Sequence, residues 1–272
     1  MTVGERTLRP VLLSSEPWDA VWRRNQHLAS RVPGTAFIEQ ARRGVLHRWR
    51  QESGVDVLTP AKPLPLRWTV GRAVHARLLR RALLQRLGRD QAVVWVTHPL
   101  GAEVARVMEA GVVYDRTDDW PHMEKDERAR ALVRRLDRRL LRAANAVVIV
   151  SEAMRGQVPE GALLIPNGVD SAAFNIVVRR RRAGTLRIAF VGTLDPLRVD
   201  MEILERLARD PGVTLVLAGP GAGVAGAEQH GVIEHARIPD LLAGCDALVA
   251  PYRLDDEAIR SGDALKLYEY FA

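Results

Sequence analysis

Residues 186–209 read LRIAFVGTLDPLRVDMEILERLAR, and they predict a strand, a loop and a helix in that order. Leu186–Val191 is a short, nearly continuous apolar run of the kind that forms a strand buried on both faces. Residues 197–209 repeat apolar side chains at helical spacing. These are Leu197, Met201, Leu204 and Ala208. Such a unit is the repeating element of a parallel α/β sheet.

The same alternation extends to both sides of this stretch. Further strands are predicted at residues 10–13, 35–38, 55–58, 92–96, 112–114, 146–150, 163–165, 213–217 and 247–250. Helices are predicted at residues 18–31, 70–87, 127–144, 239–243 and 263–272. Residues 175–185 lack a period and contain the densest arginine run. We therefore predict an α/β fold of two Rossmann-like domains, 1–174 and 186–272, joined by a linker at 175–185.

The amino-acid composition limits the classes of protein to which this chain can belong. The chain has 272 residues, of which 47% are hydrophobic and 27% charged, which is typical of a soluble globular protein of one or two domains. We find no apolar run of eighteen residues and expect no membrane-spanning helix. The one cysteine, Cys245, allows no intramolecular disulfide and fits a reducing cytoplasm. The net charge of +7 is consistent either with a solvated basic surface or with attraction to an anionic surface. Aromatics are only 5%, and we expect no nucleic acid.

The last ten residues, DALKLYEYFA, predict a helix that follows Ser261-Gly262-Asp263. Lys266 and Glu269 are three residues apart and share one face of it. A helix N-terminus and an ammonium group both attract a diphosphate, and a carboxylate can accept hydrogen bonds from the vicinal hydroxyls of a ribose. The spacing thus favours a nucleotide site. The chain ends on this helix, so we expect the second domain to be incomplete.

Polar residues follow several predicted strands of the first domain. They are Ser14, Ser15, Glu16, His98, Asp115, Asp118, Asp119, Ser151 and Glu152. The carboxyl ends of parallel strands meet at one sheet edge, where ligands of such folds bind, so a cleft site between the domains is one interpretation. The alternative is that each residue caps a helix or forms a turn.

Seven motifs, in order along the chain, carry a resemblance to a known family. They are residues 18–29 (WDAVWRRNQHLA), 114–120 (YDRTDDW), 150–154 (VSEAM), 165–170 (IPNGVD) with Phe174, 191–194 (VGTL) with Arg198, 246–251 (DALVAP) and 265–270 (LKLYEY). Together they resemble two-domain glycosyltransferases of the GT-B fold, of the family 4 type and its teichuronic-acid-biosynthesis branch. Two positions depart from that pattern: Thr193 stands where the family often has Arg, and Ser261 where it has the first of two paired glutamates.

The resemblance implies sugar transfer from a UDP- or GDP-sugar donor to an acceptor hydroxyl, without a cofactor. No cluster of His, Cys and Asp in the sequence has metal-ligand spacing, so we expect no tightly bound metal. The resemblance also implies a donor site in the second domain, formed by Gly192, Thr193, Arg198, Gly262, Lys266 and Glu269. For the first domain we assign His98, Asp118 and Asp119 to the acceptor, with His98 as the base if the reaction inverts the anomeric centre. A retaining reaction requires no such base.

The expected partners are the nucleotide sugar, a saccharide or lipid-linked acceptor and the anionic inner face of a membrane, in the cytoplasm. We expect a role in the synthesis of a cell-envelope polysaccharide or glycolipid. Two alternatives stay open: a sugar-nucleotide 2-epimerase of the same fold, and an inactive truncated remnant of such an enzyme.

Overall fold

The computed structural model describes residues 2–3, 6–7, 9–19, 22–88, 92–174, 184–255 and 257–272. They form two compact units, Met1–Pro166 (unit 1) and Asn167–Ala272 (unit 2). The division after Pro166 differs from the expected boundary, because Phe174 is buried in a cluster with Ala189 and Val191 of unit 2. Residues 175–183 of the expected linker lie outside the described residues.

Unit 1 contains an eight-stranded sheet in the order β12-β11-β10-β9-β3-β4-β7-β6. Its strands are β3 (Arg9–Leu13), β4 (Ala36–Ile38), β6 (Arg48–Glu52), β7 (Val55–Thr59), β9 (Ala92–Val96), β10 (Gly111–Arg116), β11 (Ala146–Ile149) and β12 (Leu163–Leu164). Every pair is parallel except the β6–β7 hairpin. Two small ladders lie outside it: β1 (Thr2–Val3) with β2 (Arg6–Thr7), and β5 (Arg42–Arg43) with β8 (Ala61–Lys62).

The described residues of unit 1 form five helices. They are α1 (Arg24–Arg31), α2 (Thr69–Leu87), α3 (Ala102–Met108), α4 (Trp120–Met123) and α5 (Glu127–Ala143), with 3₁₀ turns at Pro99–Gly101 and Glu152–Gln157. One core cluster joins strand residues such as Val11, Val94 and Tyr114 to Leu79 of α2 and Leu136 of α5. This packing against parallel strands is the arrangement that the alternating sequence pattern predicts.

Three local predictions for unit 1 were inaccurate. Helix α1 begins at Arg24 rather than at residue 18, because Trp18 is instead buried edge-on against Phe37. Strand β6 has no apolar run to signal it and is held by its hairpin with β7. Helix α2, predicted at residues 70–87, begins one residue earlier at Thr69; its buried positions include Ala76, Leu79 and Leu83, whereas Leu78 is exposed.

Unit 2 contains a four-stranded parallel sheet in the order β15-β14-β13-β16. Its strands are β13 (Leu186–Val191), β14 (Val213–Ala218), β15 (Glu228–Gln229) and β16 (Ala247–Leu248), and its helices are α6 (Met201–Arg209), α7 (Ile238–Ala243), α8 (Glu257–Ser261) and α9 (Leu265–Phe271). A 3₁₀ turn covers His235–Arg237. Helix α6 starts four residues later than predicted because Asp200 caps it, accepting from the Glu202 N–H. Parallel sheets with helices in both units confirm the predicted α/β, Rossmann-like fold class.

Candidate functional site

In unit 2 the structure brings Gly192 and Lys266 together at the carboxyl end of β13. Gly192 follows the last residue of β13 with φ of +155°. A Cβ atom at this position would lie 2.1 Å from Nζ of Lys266, so the ammonium group sits directly over the glycine backbone. Nζ also lies 4.0 Å from the ring centroid of Phe190 and 5.0 Å from that of Tyr252. A cation held on two aromatic faces is placed where the carboxyl end of a parallel strand binds ligands.

The loop after β14 packs against the loop after β13 through backbone alone. A Cβ atom on Gly219, where φ is +134°, would lie 2.0 Å from the carbonyl oxygen of Gly192. One on Gly221 would lie 2.5 Å from the carbonyl oxygen of Leu194. Only glycine fits this contact, and the signal in the sequence is the Gly-Pro-Gly that follows an apolar strand.

Glu269 lies one turn beyond Lys266 on α9 and is buried, at 8% exposure. Its Oε1 atom is 3.0 Å from Nε2 of His235, which belongs to the 3₁₀ turn before α7. The ring of His235 meets the edge of Phe174 at 5.5 Å between centroids. The sequence analysis did not single out His235, because its partner in this contact is 34 residues away.

The loop before α9 is built differently from the prediction. Helix α9 begins at Leu265 with Ala264 as its N-cap residue, and Ser261 is the buried last residue of α8. The N–H of Gly262 donates to the carbonyl of Ile259, so this amide already has an acceptor within the chain. The N–H of Gly192 likewise donates to the carbonyl of Ala218.

Asp263 joins this loop to the Asn-Gly turn. Its carboxylate accepts from the backbone N–H of Asn167 at 2.6 Å and from the hydroxyl of Tyr268. The side-chain amide of Asn167 in turn donates to the carbonyl of Asp263. The Pro-Asn-Gly motif thus holds the start of α9 in place.

Thr193 and Arg198 are both exposed in the segment between β13 and α6. The carbonyl of Arg198 accepts from the N–H of Arg253, and Val199 forms a bridge with Tyr252. The Tyr252 ring lies 5.0 Å from Nζ of Lys266, so Tyr252 links the Arg198–Val199 segment to that ammonium group.

In unit 1 a cavity of about 830 Å³ lies at the carboxyl ends of β3, β4, β7 and β9. Its lining includes Ser14, Ser15, Arg43, Lys62, Arg67 and His98. Arg43 and Lys62 are partners in the β5–β8 ladder. Sequence reasoning found the serines and His98 but missed the basic side of the cavity, which a non-local strand pair assembles.

His98 follows β9 and caps the 3₁₀ turn after it. Its Nδ1 atom accepts from the Leu100 N–H at 3.2 Å, and its ring meets the edge of Trp120 at 4.5 Å between centroids. Burial lowers the pKa of His98 to about 4. The ring is therefore neutral at physiological pH, and because Nδ1 accepts, the ring proton resides on Nε2. In this tautomer Nε2 donates a hydrogen bond rather than accepting a proton.

The structure separates Asp118 and Asp119 from His98's cavity, since neither is among its described lining residues. Asp119 is 2% exposed, and its two carboxylate oxygens meet Nη2 of Arg116 at 3.3 Å and Nδ1 of His122 at 2.7 Å. Asp118 is half-buried and accepts from the hydroxyl of Thr117. Asp119 is thus a partner of a buried guanidinium.

Two of the motifs behind the family resemblance contact each other inside unit 1. Arg24 of the first motif places Nε 3.0 Å from Oδ2 of Asp115 in the second, and the indole N–H of Trp95 donates to the same oxygen. Burial raises the pKa of Asp115, although Arg24 and Trp95 oppose that shift. The second oxygen, Oδ1, is buried without a hydrogen-bond partner.

Glu39, which also lines the cavity, is the centre of a second network. Arg50 binds both of its carboxylate oxygens, at 2.8 and 3.0 Å, and the backbone N–H of Trp18 donates at 2.7 Å. Thr59 donates through its hydroxyl. Burial alone would raise the pKa of Glu39, but these hydrogen bonds outweigh it and lower the pKa to about 2. The carboxylate of Glu39 is fully paired within the chain, and the other charged side chains that line the cavity are the basic Arg43, Lys62 and Arg67 and the acidic Glu124.

Ser151 and Glu152 have local roles. Ser151 caps the following 3₁₀ turn through the Ala153 N–H, and Glu152 pairs with Arg155. Within the ranges given above, no cluster of three potential metal ligands occurs, and no helix is long and apolar enough to cross a membrane.

Comparison with known proteins found no matching family model and no matching curated protein. Solved structures do match. HepE of Anabaena in complex with UDP and glucose is 14% identical, with 89% of this chain and 73% of that chain covered and a TM-score of 0.63. The same protein in complex with UDP-glucose gives a TM-score of 0.61 at the same identity and coverage.

An α,α-trehalose-phosphate synthase (UDP-forming) from Burkholderia vietnamiensis is 13% identical. The match covers 96% of this chain and 81% of that one, with a TM-score of 0.61. At such identities the similarity shows the fold, and it confirms the predicted GT-B architecture class. The family 4 and teichuronic-acid assignments stay predictions.

Proposed function

We propose that this protein is a glycosyltransferase that moves a sugar from a UDP-sugar to an acceptor hydroxyl. The observation that carries the proposal is the position of Lys266 over the backbone of Gly192, with Glu269 one turn further along α9. A diphosphate needs cationic stabilisation as it leaves, and a ribose needs an acceptor for its hydroxyls. These two groups supply both, on the sheet edge where α/β folds bind ligands.

The matched structures support a uridine nucleotide, rather than a guanosine nucleotide, as the donor. HepE is described with UDP, with UDP-glucose, and with UDP and glucose, and the matched synthase forms UDP. In our proposal Lys266 and Arg198 stabilise the diphosphate, with Gly192 and Thr193 beside it, and Glu269 binds the ribose. Since the N–H of Gly262 is already bonded, Gly262 contributes only the shape of the loop.

Unit 1 supplies the acceptor side in this proposal. His98 would orient the acceptor through its Nε2 proton, a role that fits its neutral tautomer better than that of a base. This favours a retaining reaction, which needs no enzymic base. Asp118 and Asp119 would act indirectly, by positioning the loop that follows β10. In the same proposal the donor carries a hexose and the product is a cell-envelope polysaccharide or glycolipid. The protein would be cytoplasmic and act at the inner face of the membrane.

Calorimetric titration with UDP tests the donor site directly. We expect UDP to bind the wild-type protein, Glu269→Gln to weaken binding and Lys266→Met to weaken it further, because a charge-assisted contact contributes about twice a neutral hydrogen bond. Arg206→Gln, an exposed substitution on α6, is the matched control. Wild-type affinity in both site variants would overturn the assignment.

Incubation with a UDP-sugar distinguishes a transferase from a 2-epimerase and from an inactive protein. A transferase releases UDP only when an acceptor is present, whereas a 2-epimerase converts the sugar nucleotide without one. A protein that binds no UDP and converts nothing corresponds to the inactive remnant.

A further inference from the structure

One segment of unit 1 carries a large excess of basic residues. Residues 40–88 contain eleven Lys and Arg but only two Asp and Glu, a net charge of +9. The rest of the chain contains 29 basic and 31 acidic residues, a net charge of −2, although α5 is a second basic stretch with seven Arg against two acidic residues. The overall excess of +7 is therefore not a uniform bias of the surface. β5–β8, α2 and the segments between them form the larger of these two basic stretches.

Many of these cations have no acidic neighbour. Arg42, Arg43, Arg67, Arg77 and Arg81 are all exposed. In the part of the chain that the structure describes, no ion pair involves any of them. Their charge is therefore directed to the solvent and is available to an anionic partner.

Exposed apolar side chains lie in the same segment. Val45 and Leu46 are 73% and 80% exposed in the loop after β5, and Trp68 and Val70 are exposed at the start of α2. Leu78, further along α2, is exposed too. The guanidinium of Arg67 lies 5.7 Å from the ring centroid of Trp68. Exposed apolar and basic side chains thus alternate along this segment, and at Arg67 and Trp68 they are in contact.

Backbone contacts hold these groups close together. Arg43 pairs with Lys62 in the β5–β8 ladder, and the Gly44 N–H donates to the carbonyl of Lys62. His47, next to Leu46, accepts from the Ala61 N–H, and the carbonyl of Ala61 lies 3.0 Å from Nδ1 of His75 on α2. The loop with Val45 and Leu46 is therefore linked to α2 through Ala61 of β8.

We propose that this surface, formed by Arg42, Arg43, Val45, Leu46, Arg67, Trp68, Val70, Arg77, Leu78 and Arg81, docks the protein onto an anionic lipid bilayer. Basic residues bind the headgroups, and valine, leucine and tryptophan side chains enter the interface, where tryptophan is enriched. A second copy of this chain would present the same positive charge and be repelled. Nucleic acid would satisfy the arginines but leave the aliphatic side chains without a role.

Helix α5 shows what a merely solvated basic face looks like in the same unit. Arg134 and Arg138 are exposed there, but none of the exposed large hydrophobic residues in the described chain lies on α5. Charge alone would make α5 an equal candidate. The combination with exposed apolar groups singles out the docking surface.

The surface also bears on the acceptor, a point that rests on the proposed function. Arg43, Lys62 and Arg67 line the 830 Å³ cavity as well as belonging to, or adjoining, the docking surface. A molecule anchored in the bilayer would meet this cavity first. Sugar transfer would then favour a lipid-linked acceptor over a free saccharide.

Vesicle flotation tests the docking surface without any activity assay. The wild-type protein should float with vesicles that contain phosphatidylglycerol and not with pure phosphatidylcholine vesicles, and salt should release it. Val45→Ser/Leu46→Ser should lower the bound fraction roughly tenfold, since two exposed apolar side chains lose their insertion. Val232→Ser/Leu254→Ser, equally exposed in unit 2, is the matched control.

A second set of flotation experiments tests the contribution of charge by comparing two pairs of arginines. Arg77→Gln/Arg81→Gln should reduce flotation strongly, and Arg134→Gln/Arg138→Gln on α5 should reduce it much less. Brominated lipid should quench tryptophan fluorescence in the wild type, and Trp68→Phe should abolish that quenching. Equal flotation of all variants would overturn the proposal, as would tight binding of an oligonucleotide by a protein that ignores vesicles.

Discussion

The imidazole of His235 hydrogen-bonds the carboxylate of Glu269, with 3.0 Å between Nε2 and Oε1. The contact joins the 3₁₀ turn before α7 to α9, and both residues lie near the buried ring of Phe174. A carboxylate that is oriented in advance loses less freedom when it binds two hydroxyls. We expect His235 to be a positioning residue for the donor ribose.

Removing the His235 side chain should therefore weaken the binding of UDP without unfolding unit 2. For His235→Ala we expect the Kd for UDP to rise roughly fivefold, the equivalent of about 1 kcal/mol for one hydrogen bond. His235→Asn, which can still donate, should recover part of the loss. UMP and UDP should be affected equally, because the ribose is common to both. A loss confined to UDP would place His235 at the diphosphate instead.

Gly192→Ala should act through Lys266. The new Cβ atom would lie 2.1 Å from Nζ, and the flexible lysine end would move away from the diphosphate position. We expect the UDP affinity to fall about tenfold, with about 1 kcal/mol of backbone strain from the positive φ. In a Lys266→Met background, calorimetry should show little further loss on adding Gly192→Ala. Full additivity of the two substitutions would mean that the residues act independently.

His98 should make unit 1 less stable in mild acid. Its pKa is lowered from 6.5 to about 4 in the folded state, so its contribution is fully present above pH 6.5 and is lost as the pH falls toward 4. His98→Asn keeps a cap for the Leu100 N–H but cannot titrate. The unfolding free energy of the wild type should therefore fall by about 3 kcal/mol more than that of the variant between pH 7 and 4.

Tryptophan fluorescence in urea measures this difference for unit 1 alone, because all six tryptophans lie between residues 18 and 120. Parallel pH dependences of wild type and variant would show that His98 is not shielded from water. The same fluorescence signal measures the unfolding free energies of variants at Arg24 and Asp115.

The buried pair of Arg24 and Asp115 should show strong coupling. Arg24→Met leaves the Asp115 carboxylate buried without its cation, which should cost about 3 kcal/mol of unfolding free energy. Asp115→Asn removes the charge but leaves the guanidinium, with a smaller cost because Arg24 also donates to the carbonyl of Pro166. The double variant should be more stable than the sum of the two losses predicts. Simple additivity would show that the pair contributes no net coupling.

Sequence-based prediction of the candidate site was accurate for residues that share an element and poor for those that do not. Lys266 and Glu269 were placed on one helix because a helix brings together positions three apart. Asp119 was assigned to the acceptor, yet it pairs with Arg116 and His122, and no pattern in the sequence shows that its carboxylate is already occupied. His235 was overlooked for the same reason.

The sequence by itself determined the elements whose apolar residues are continuous or strictly periodic. Strands β9 and β13 have the predicted bounds, and α5 differs from its prediction by one residue, because burial of such runs is decided locally. The tertiary structure alone decided which distant groups meet. The β5–β8 ladder places Arg43 beside Lys62, and the fold places His235 against Glu269. Such contacts depend on how strands pair and how loops close, and the free energy of that closure is shared by the whole unit rather than encoded in any one segment.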